Sequence, residues 1–366
     1  MDGNDILFGD GFKPSYALEQ ARSVYRVYLA TLDRIPDPAG FGNWTELLAS
    51  GQKAMLEVVA GFVGSQEFQR TYGALDNRAF VTLLYRNVLD RAPDAAGLNK
   101  WLAELDHGTS RAAVVLGFSD SLEFKNATQT AATQFSMERD EAHWADDVFR
   151  LYQATLDRAP DQAGLLSWVE KLADGRTFLS VVQGFVGSTE FQQQYGSLDN
   201  RAFVTQLYDN VLNRAPDAAG LANWLAKMQA GMTRAEVVQG FSQSAEFVAA
   251  TAQPLKQWML AQNPHDVLMG GSGTNTLFGG VMSDNFVFTA SDHGTHRVMD
   301  FEVWDKLAFQ GFGYADWAVA KSHMTQLGAK VVFEDQGTRV EIEHTQLAQI
   351  DASNVAVTGG VGQLFV

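Results

Sequence analysis

Apolar residues recur every three or four positions from about residue 16 to residue 250, which predicts a series of amphipathic helices. Val24, Tyr28 and Leu32 stand four apart, and so do Phe80, Leu84 and Val88. Asp76 or Asn77 precedes the second series and offers a short side-chain acceptor to the free N–H groups of a helix start. Pro36 ends one helix and fixes φ for a turn. Asp37 is placed to cap the next helix, Gly40 allows close packing, and Trp44 with Leu47-Leu48 falls on one helix face. Beyond residue 264 glycines cluster and short apolar stretches replace the helical period. Lys330-Val331-Val332-Phe333 and Thr338-Arg339-Val340-Glu341-Ile342-Glu343 flank Asp335-Gln336-Gly337, which predicts a hairpin.

The helical part repeats. Leu32-Asp33-Arg34-Ile35-Pro36-Asp37-Pro38-Ala39-Gly40 with Trp44 returns as Leu89-Asp90-Arg91-Ala92-Pro93-Asp94-Ala95-Ala96-Gly97 with Trp101. It returns again around Arg158, Asp161, Gly164 and Trp168, and around Arg214, Asp217, Gly220 and Trp224. A second phrase follows each copy: Gly61-Phe62 with Ser65-Gln66-Glu67-Phe68, then Gly117-Phe118 with Ser121 to Phe124. Gly184-Phe185 with Ser188 to Phe191 and Gly240-Phe241 with Ser244 to Phe247 complete the set. The arginines are spaced by 57, 67 and 56 residues. Copies one and three also share Tyr72-Gly73-Ala74-Leu75-Asp76-Asn77-Arg78-Ala79-Phe80-Val81 and its counterpart from Tyr195 to Val204, so the copies pair into two larger repeats. A recurring Arg, Asp and Trp is what a folding unit needs as turn, cap and core anchor. The same residues also suit a sugar-binding face, since indoles stack on sugar C–H faces. Glu67 and Glu123 are expected as helix caps within the second phrase.

These two phrases resemble a bacterial extracellular helical family known only as a domain of unknown function, with the pattern LYxxxLxRxPDxxGLxxW followed by GFxxSxEF. The resemblance covers about residues 16–250. The family is distantly similar to phycobilisome linker helices and to the anchoring region of some S-layer proteins, which bind lipopolysaccharide. The resemblance brings no catalytic residues with it.

Asp266, Asn275 and Asp284 are spaced by nine, and Leu268, Leu277 and Phe286 follow each by two. With the glycines between them they resemble the RTX nonapeptide GGxGxDxUx of calcium-binding β-rolls. In that motif glycines aim carbonyl oxygens inward and the aspartate adds an anionic oxygen, which matches the six to eight hard oxygens Ca²⁺ takes. The resemblance implies Ca²⁺ ligation by Asp266, Gly271, Gly273, Asn275 and Asp284, with Asp266 and Asp284 on one side and Asn275 as a neutral substitute on the other. Pro264 and Met282 stand where the motif has glycine, so few ions are expected. Gly3-Asn4-Asp5-Ile6-Leu7-Phe8-Gly9-Asp10-Gly11 is similar to one more turn, adding Gly3, Asp5 and Asp10 to the implied ligands. That turn either stacks on residues 264–288, with the helices inserted between, or is left from an upstream roll. Asn285-Phe286-Val287-Phe288 and Val298 to Phe309 resemble the segment that follows the roll in serralysin-type exported proteins. Gln363-Leu364-Phe365-Val366 is similar to an uncleaved type I export signal.

Composition narrows the function. The chain of 366 residues has net charge −16, which disfavours nucleic acid and suits cations. It has no cysteine, so disulfides and thiolate metal sites are excluded. No apolar run reaches the roughly 18 residues of a membrane span, and no basic stretch followed by an apolar one opens the chain, so no classical signal peptide is expected. HExxH, GxSxG and Walker A motifs are absent. His293 and His296 have a spacing that suits zinc but lack an evident third ligand. The expectation is therefore an α+β multidomain protein: an all-α array of four helical repeats in two tandem pairs, then a short parallel β-roll with a β-sandwich-like region. Its expected parts are a first turn at 1–15, repeat pairs at 16–127 and 140–260, a linker at 128–139, and the roll with export region at 261–366. The expected function is non-catalytic: an exported protein that folds on Ca²⁺ outside the cell and acts in a surface, matrix or adhesion role, with the type I secretion machinery as partner. The alternatives are a lipopolysaccharide or exopolysaccharide module using Arg34, Asp37, Trp44, Arg91, Asp94, Trp101, Arg158, Asp161, Trp168, Arg214, Asp217 and Trp224, or an unrecognised hydrolase or enzyme accessory.

Overall fold

The computed structural model describes residues 5–9, 19–262 and 264–358. The chain divides into two compact units, Phe12–Asp140 and Met1–Gly11 together with Glu141–Val366. The first contains α1 (Glu19–Leu32), α2 (Pro38–Ala49), α3 (Met55–Val63), α4 (Gln66–Tyr72), α5 (Asn77–Leu89), α6 (Ala95–Asp106), α7 (Arg111–Ser119) and α8 (Leu122–Glu138). They are two copies of a four-helix repeat. The polar stretch 128–139 is mostly helix, because α8 buries Thr128, Ala132 and Phe135 on one stripe and continues to Glu138.

The second unit opens with the short strand β1 (Ile6–Phe8). Two further repeat copies follow: α9 (Ala145–Leu156), α10 (Gln162–Ala173), α11 (Phe178–Val186) and α12 (Thr189–Tyr195), then α13 (Asn200–Leu212), α14 (Ala218–Gln229), α15 (Arg234–Ser242) and α16 (Ala245–Ala261). The strands β2 (Val267–Met269), β3 (Thr274–Phe278), β4 (Asn285–Thr289), β5 (Thr295–Val298) and β6 (Lys306–Gln310) come next. The helix α17 (Trp317–Ser322), strands β7 (Met324–Leu327), β8 (Lys330–Asp335), β9 (Thr338–Ile342) and β10 (Val355–Thr358) complete the unit.

Each repeat is built by the same local rules. The first helix of each copy ends at Asp33, Asp90, Asp157 or Asn213, all in the left-handed region that short polar side chains tolerate. Asp37, Asp94, Asp161 and Asp217 then accept the N–H of Gly40, Gly97, Gly164 and Gly220, each at 2.8 Å, and so cap the second helix. Those glycines are required by contact. A Cβ on Gly40 would lie 2.1 Å from Tyr28 Oη, and one on Gly97 2.2 Å from Tyr85 Oη. Ser65, Ser121, Ser188 and Ser244 cap the fourth helices.

The strands alternate between two sheets. One has the order β1-β3-β5-β9-β8-β7 and the other β10-β6-β4-β2. Pairings among β1, β3, β5 and β9 and among β2, β4, β6 and β10 are parallel, while β8 pairs antiparallel with β7 and β9. The β8–β9 turn falls at Gln336 and Gly337, both with positive φ. Leu268, Leu277, Phe286, Phe288, Val298, Leu307 and Phe309 fill the space between the sheets. Each such side chain contributes roughly 1.5–3 kcal/mol by leaving water. Met282, which breaks the glycine pattern, has a packing reason: with Val281 and Trp304 it joins the core of the helices α9–α16.

Candidate cation site

Parallel register stacks the residue that precedes each strand. On one edge β2, β4 and β6 align Val267, Asn285 and Lys306, while on β10 Val355 lies opposite Leu307. Asp266, Asp284 and Asp305 are therefore stacked one turn apart, and Asn354 follows on the next strand one residue out of step, at the level of Lys306. Asp284 Oδ1 accepts the N–H of Asp266 at 2.9 Å, and Asp305 Oδ1 accepts that of Asp284 at 2.9 Å. Asp305 Oδ2 accepts the Glu302 N–H at 2.8 Å, and Asn354 Nδ2 donates to the Asp305 carbonyl at 2.9 Å. Asp300 accepts N–H groups from Gly279 and Gly280 at 2.9 and 3.2 Å. The Trp304 indole N–H donates to Glu302 at 2.8 Å.

This edge concentrates negative charge. Burial first, and then the charges of Asp305, Asp300 and Asp284, push the Glu302 carboxyl well above its usual range. Burial and the Asp284 charge do the same to Asp305. A cation would relieve that repulsion. Ligand atoms of His265, Asp266 and Asp284 lie within 4.8 Å of one another. The Gly9 turn closes over them: a Cβ there would lie 2.3 Å from Gly279 O and 2.7 Å from Asp266 Oδ2. Carboxylate and carbonyl oxygens dominate, with one imidazole at the exposed rim. Such hard, flexible donors fit Ca²⁺ better than an ion that needs rigid geometry.

The opposite edge is built the same way from different residues. Register aligns Ile6, Thr276, Arg297 and Glu341, so Asp5, Asn275, His296 and Val340 are stacked. Asn275 Oδ1 accepts the Asp5 N–H at 3.1 Å, and its Nδ2 donates to the Ser272 carbonyl at 3.1 Å. His296 is fully buried, neither ring nitrogen has a hydrogen-bond partner, and desolvation lowers its basicity. Gly271 and Gly273 have positive φ, and their carbonyls face Gly294 beside His296 Nε2. His293 is exposed and lies near Gly337, so the two histidines do not converge on one ion.

The sequence placed Asp266 with Asp284, and the structure brings that pair together; Asp5 and Asn275, named singly as ligands, meet on the opposite edge. Gly3 and Asp10 lie outside the described residues. Sequence reasoning missed Asp300, Glu302 and Asp305 as members of the acidic edge. Asp305 follows Asp284 by more than two nonapeptides, so a strict period of nine passes over it.

The repeated Arg, Asp and Trp serve the repeat itself. Arg34, Arg91, Arg158 and Arg214 lie over Tyr28, Tyr85, Tyr152 and Tyr208 and form forked ion pairs with Glu67, Glu123, Glu190 and Glu246 at 2.8–3.2 Å. The expectation that Glu67 and Glu123 are caps is thereby corrected: the serines hold the cap positions, and the glutamates reach across to arginine. Trp44, Trp101, Trp168 and Trp224 are half-buried against Phe62, Phe118, Phe185 and Phe241. Each also covers a glycine, Gly61, Gly117, Gly184 or Gly240. Lys100, Lys171 and Lys227 lie over the last three indoles.

The fold defines a protein of tandem four-helix repeats followed by parallel strands in two sheets. No helix among the described residues is long and apolar enough to cross a membrane. Four segments, 4–70, 59–128, 133–194 and 182–251, match the family described as Domain of unknown function (DUF4214). Together they span well over half of the chain, which therefore belongs to that family. No curated protein matches the chain.

Proposed function

We propose that this chain is a non-catalytic calcium-binding protein that is exported, folds its strand region on Ca²⁺ outside the cell, and acts there as a surface, matrix or interaction protein through its helical repeats. The observation that carries this reading is the acidic edge. Asp266, Asp284 and Asp305 are stacked with Asp300 and Glu302 nearby, at glycine turns that direct a carbonyl to the same place. Without a counter-ion these carboxylates oppose one another. Bound there, Ca²⁺ would supply the positive charge that lets them stay ionised and close together. Asp266, Asp284 and the Gly279 carbonyl are the groups that would hold it. The RTX-like spacing and the absence of cysteine support export through a one-step machine into a calcium-rich medium. Each Arg, Asp and Trp that motivated a glycan-binding face is engaged within its own repeat, which favours the calcium reading.

Thermal unfolding of the full chain with millimolar Ca²⁺, with Mg²⁺, and with a chelator tests the proposal. A calcium-specific rise in Tm together with saturable binding heat is expected. No stabilisation at millimolar Ca²⁺ would overturn it.

A further inference from the structure

We infer that the first turn of the strand region is a calcium-dependent clasp made from two distant parts of the chain. Gly9 opens the turn and Asp266 closes it, with the whole helical array inserted between them. The inference rests on the calcium reading above and adds what the ion does mechanically.

The geometry comes from comparing equivalent turns. Gly279 opens a turn that Asp284 closes a few residues later, and a Cβ on Gly279 would lie 2.6 Å from Asp284 Oδ2. Gly9 stands in the same relation to Asp266, at 2.7 Å from its Oδ2. The two turns are also in contact, since the space beside Gly9 ends at the Gly279 carbonyl. In one turn, glycine and aspartate are joined directly by the chain. In the other, they are joined only through the helices.

The strand that delivers Gly9 is weakly held. β1 has three residues and lies at the edge of its sheet. Ile6 is exposed. Its contacts include the pairing with β3, the Gly9 N–H to the Phe278 carbonyl at 2.9 Å, the Thr276 N–H to the Asp5 carbonyl at 2.8 Å, the Asp5 N–H to Asn275 Oδ1 at 3.1 Å, the Phe8–Phe278 ring stack at 4.8 Å and Leu7 against the core between the sheets. Closing so long a loop costs conformational entropy that three paired residues offset poorly. A cation shared by Asp266, Asp284 and the Gly279 carbonyl neutralises the surface on which the Gly9 turn sits. Calcium then determines whether both ends of the helical array are held in one turn.

Hydrogen exchange of the full chain, read by mass spectrometry in chelator and in millimolar Ca²⁺, tests this. Exchange at Ile6–Gly9 is expected to slow at least about tenfold with Ca²⁺, with the same midpoint as the rise in Tm. The Asp266→Asn variant keeps the shape and is expected to lose that slowing, while the β8–β9 hairpin stays protected. Gly9→Ala, which places a methyl against Gly279, is a second variant and is expected to weaken calcium binding about tenfold. If Ca²⁺ raises the Tm but exchange at residues 6–9 does not change, the clasp is wrong and the calcium reading stands. If Ca²⁺ stabilises nothing, both fall.

Discussion

The two edges of the strand region share one backbone and differ in charge. One stacks Asp266, Asp284 and Asp305; the other stacks Asp5, Asn275, His296 and Val340. Both use a side chain to accept the N–H of the neighbouring turn. On the acidic edge that arrangement also gathers carboxylates that repel. On the other, Asp5 is the single carboxylate, and an amide, an imidazole and a valine hold the remaining turns. A parallel turn therefore stacks with or without a run of carboxylates, and the residue at one position decides which. The two edges also respond to pH with opposite sign. Glu302 and Asp305 have raised pKa values, so their contribution is full when they are protonated, below their ordinary values of 4.5 and 3.8. It is lost as pH rises through the raised values. The His296 pKa is depressed below 6.5, so its contribution is full above that pH and is lost as pH falls beneath it.

The largest effect is expected from Asp305→Ala, which leaves the N–H groups of Asp284 and Glu302 without their acceptor in a buried corner. A loss of about 3 kcal/mol, seen as a lower Tm with and without Ca²⁺, is the expected outcome. If the loss appears only with Ca²⁺, the edge has no structural role of its own. Next in size is the ion. At calcium a hundredfold above Kd the wild type should gain about 2.7 kcal/mol, and Asp284→Asn should remove most of that gain. An equal gain in both proteins would place the ion elsewhere. The pH response separates the edges more finely. In chelator, lowering pH from neutral towards 5 should raise the Tm of His296→Asn more than that of the wild type, because the opposing histidine is gone. Parallel curves for the two proteins would show that His296 does not carry the opposing response. Asn275→Asp tests the converse and should cost about 1 kcal/mol in chelator, where Asp faces the Ser272 carbonyl, and recover part of it in Ca²⁺. The smallest change lies outside both edges. Arg158→Ala breaks an exposed ion pair with Glu190 and should cost under about 0.5 kcal/mol, leaving calcium affinity unchanged.

Much of the helical region was legible because its rules are local. The Asp37 cap, the turn at Pro36 and the glycine beneath Tyr28 all act within about one helical turn or between adjacent helices. Fourfold repetition made each signal visible four times. The ion pairs between the two phrases were harder. Arg34 and Glu67 sit on different helices, and only packing brings them to 2.9 Å. The half-buried tryptophans show the same limit, since nothing local says that Phe62 and Gly61 take one side of Trp44.

The sequence by itself determined the four helical repeats, the glycine-rich strands and the pairing of Asp266 with Asp284, because each follows from a fixed period along the chain. Tertiary structure alone decided which further carboxylates joined them. Asp300, Glu302 and Asp305 reach the acidic edge through a loop whose Trp304 is anchored in the helical core, so their spacing obeys packing rather than the motif. It also decided that β1 pairs with β3 and that Gly9 meets Asp266. No local rule relates two residues separated by sixteen helices; only a folded chain that returns to its starting edge can bring them together.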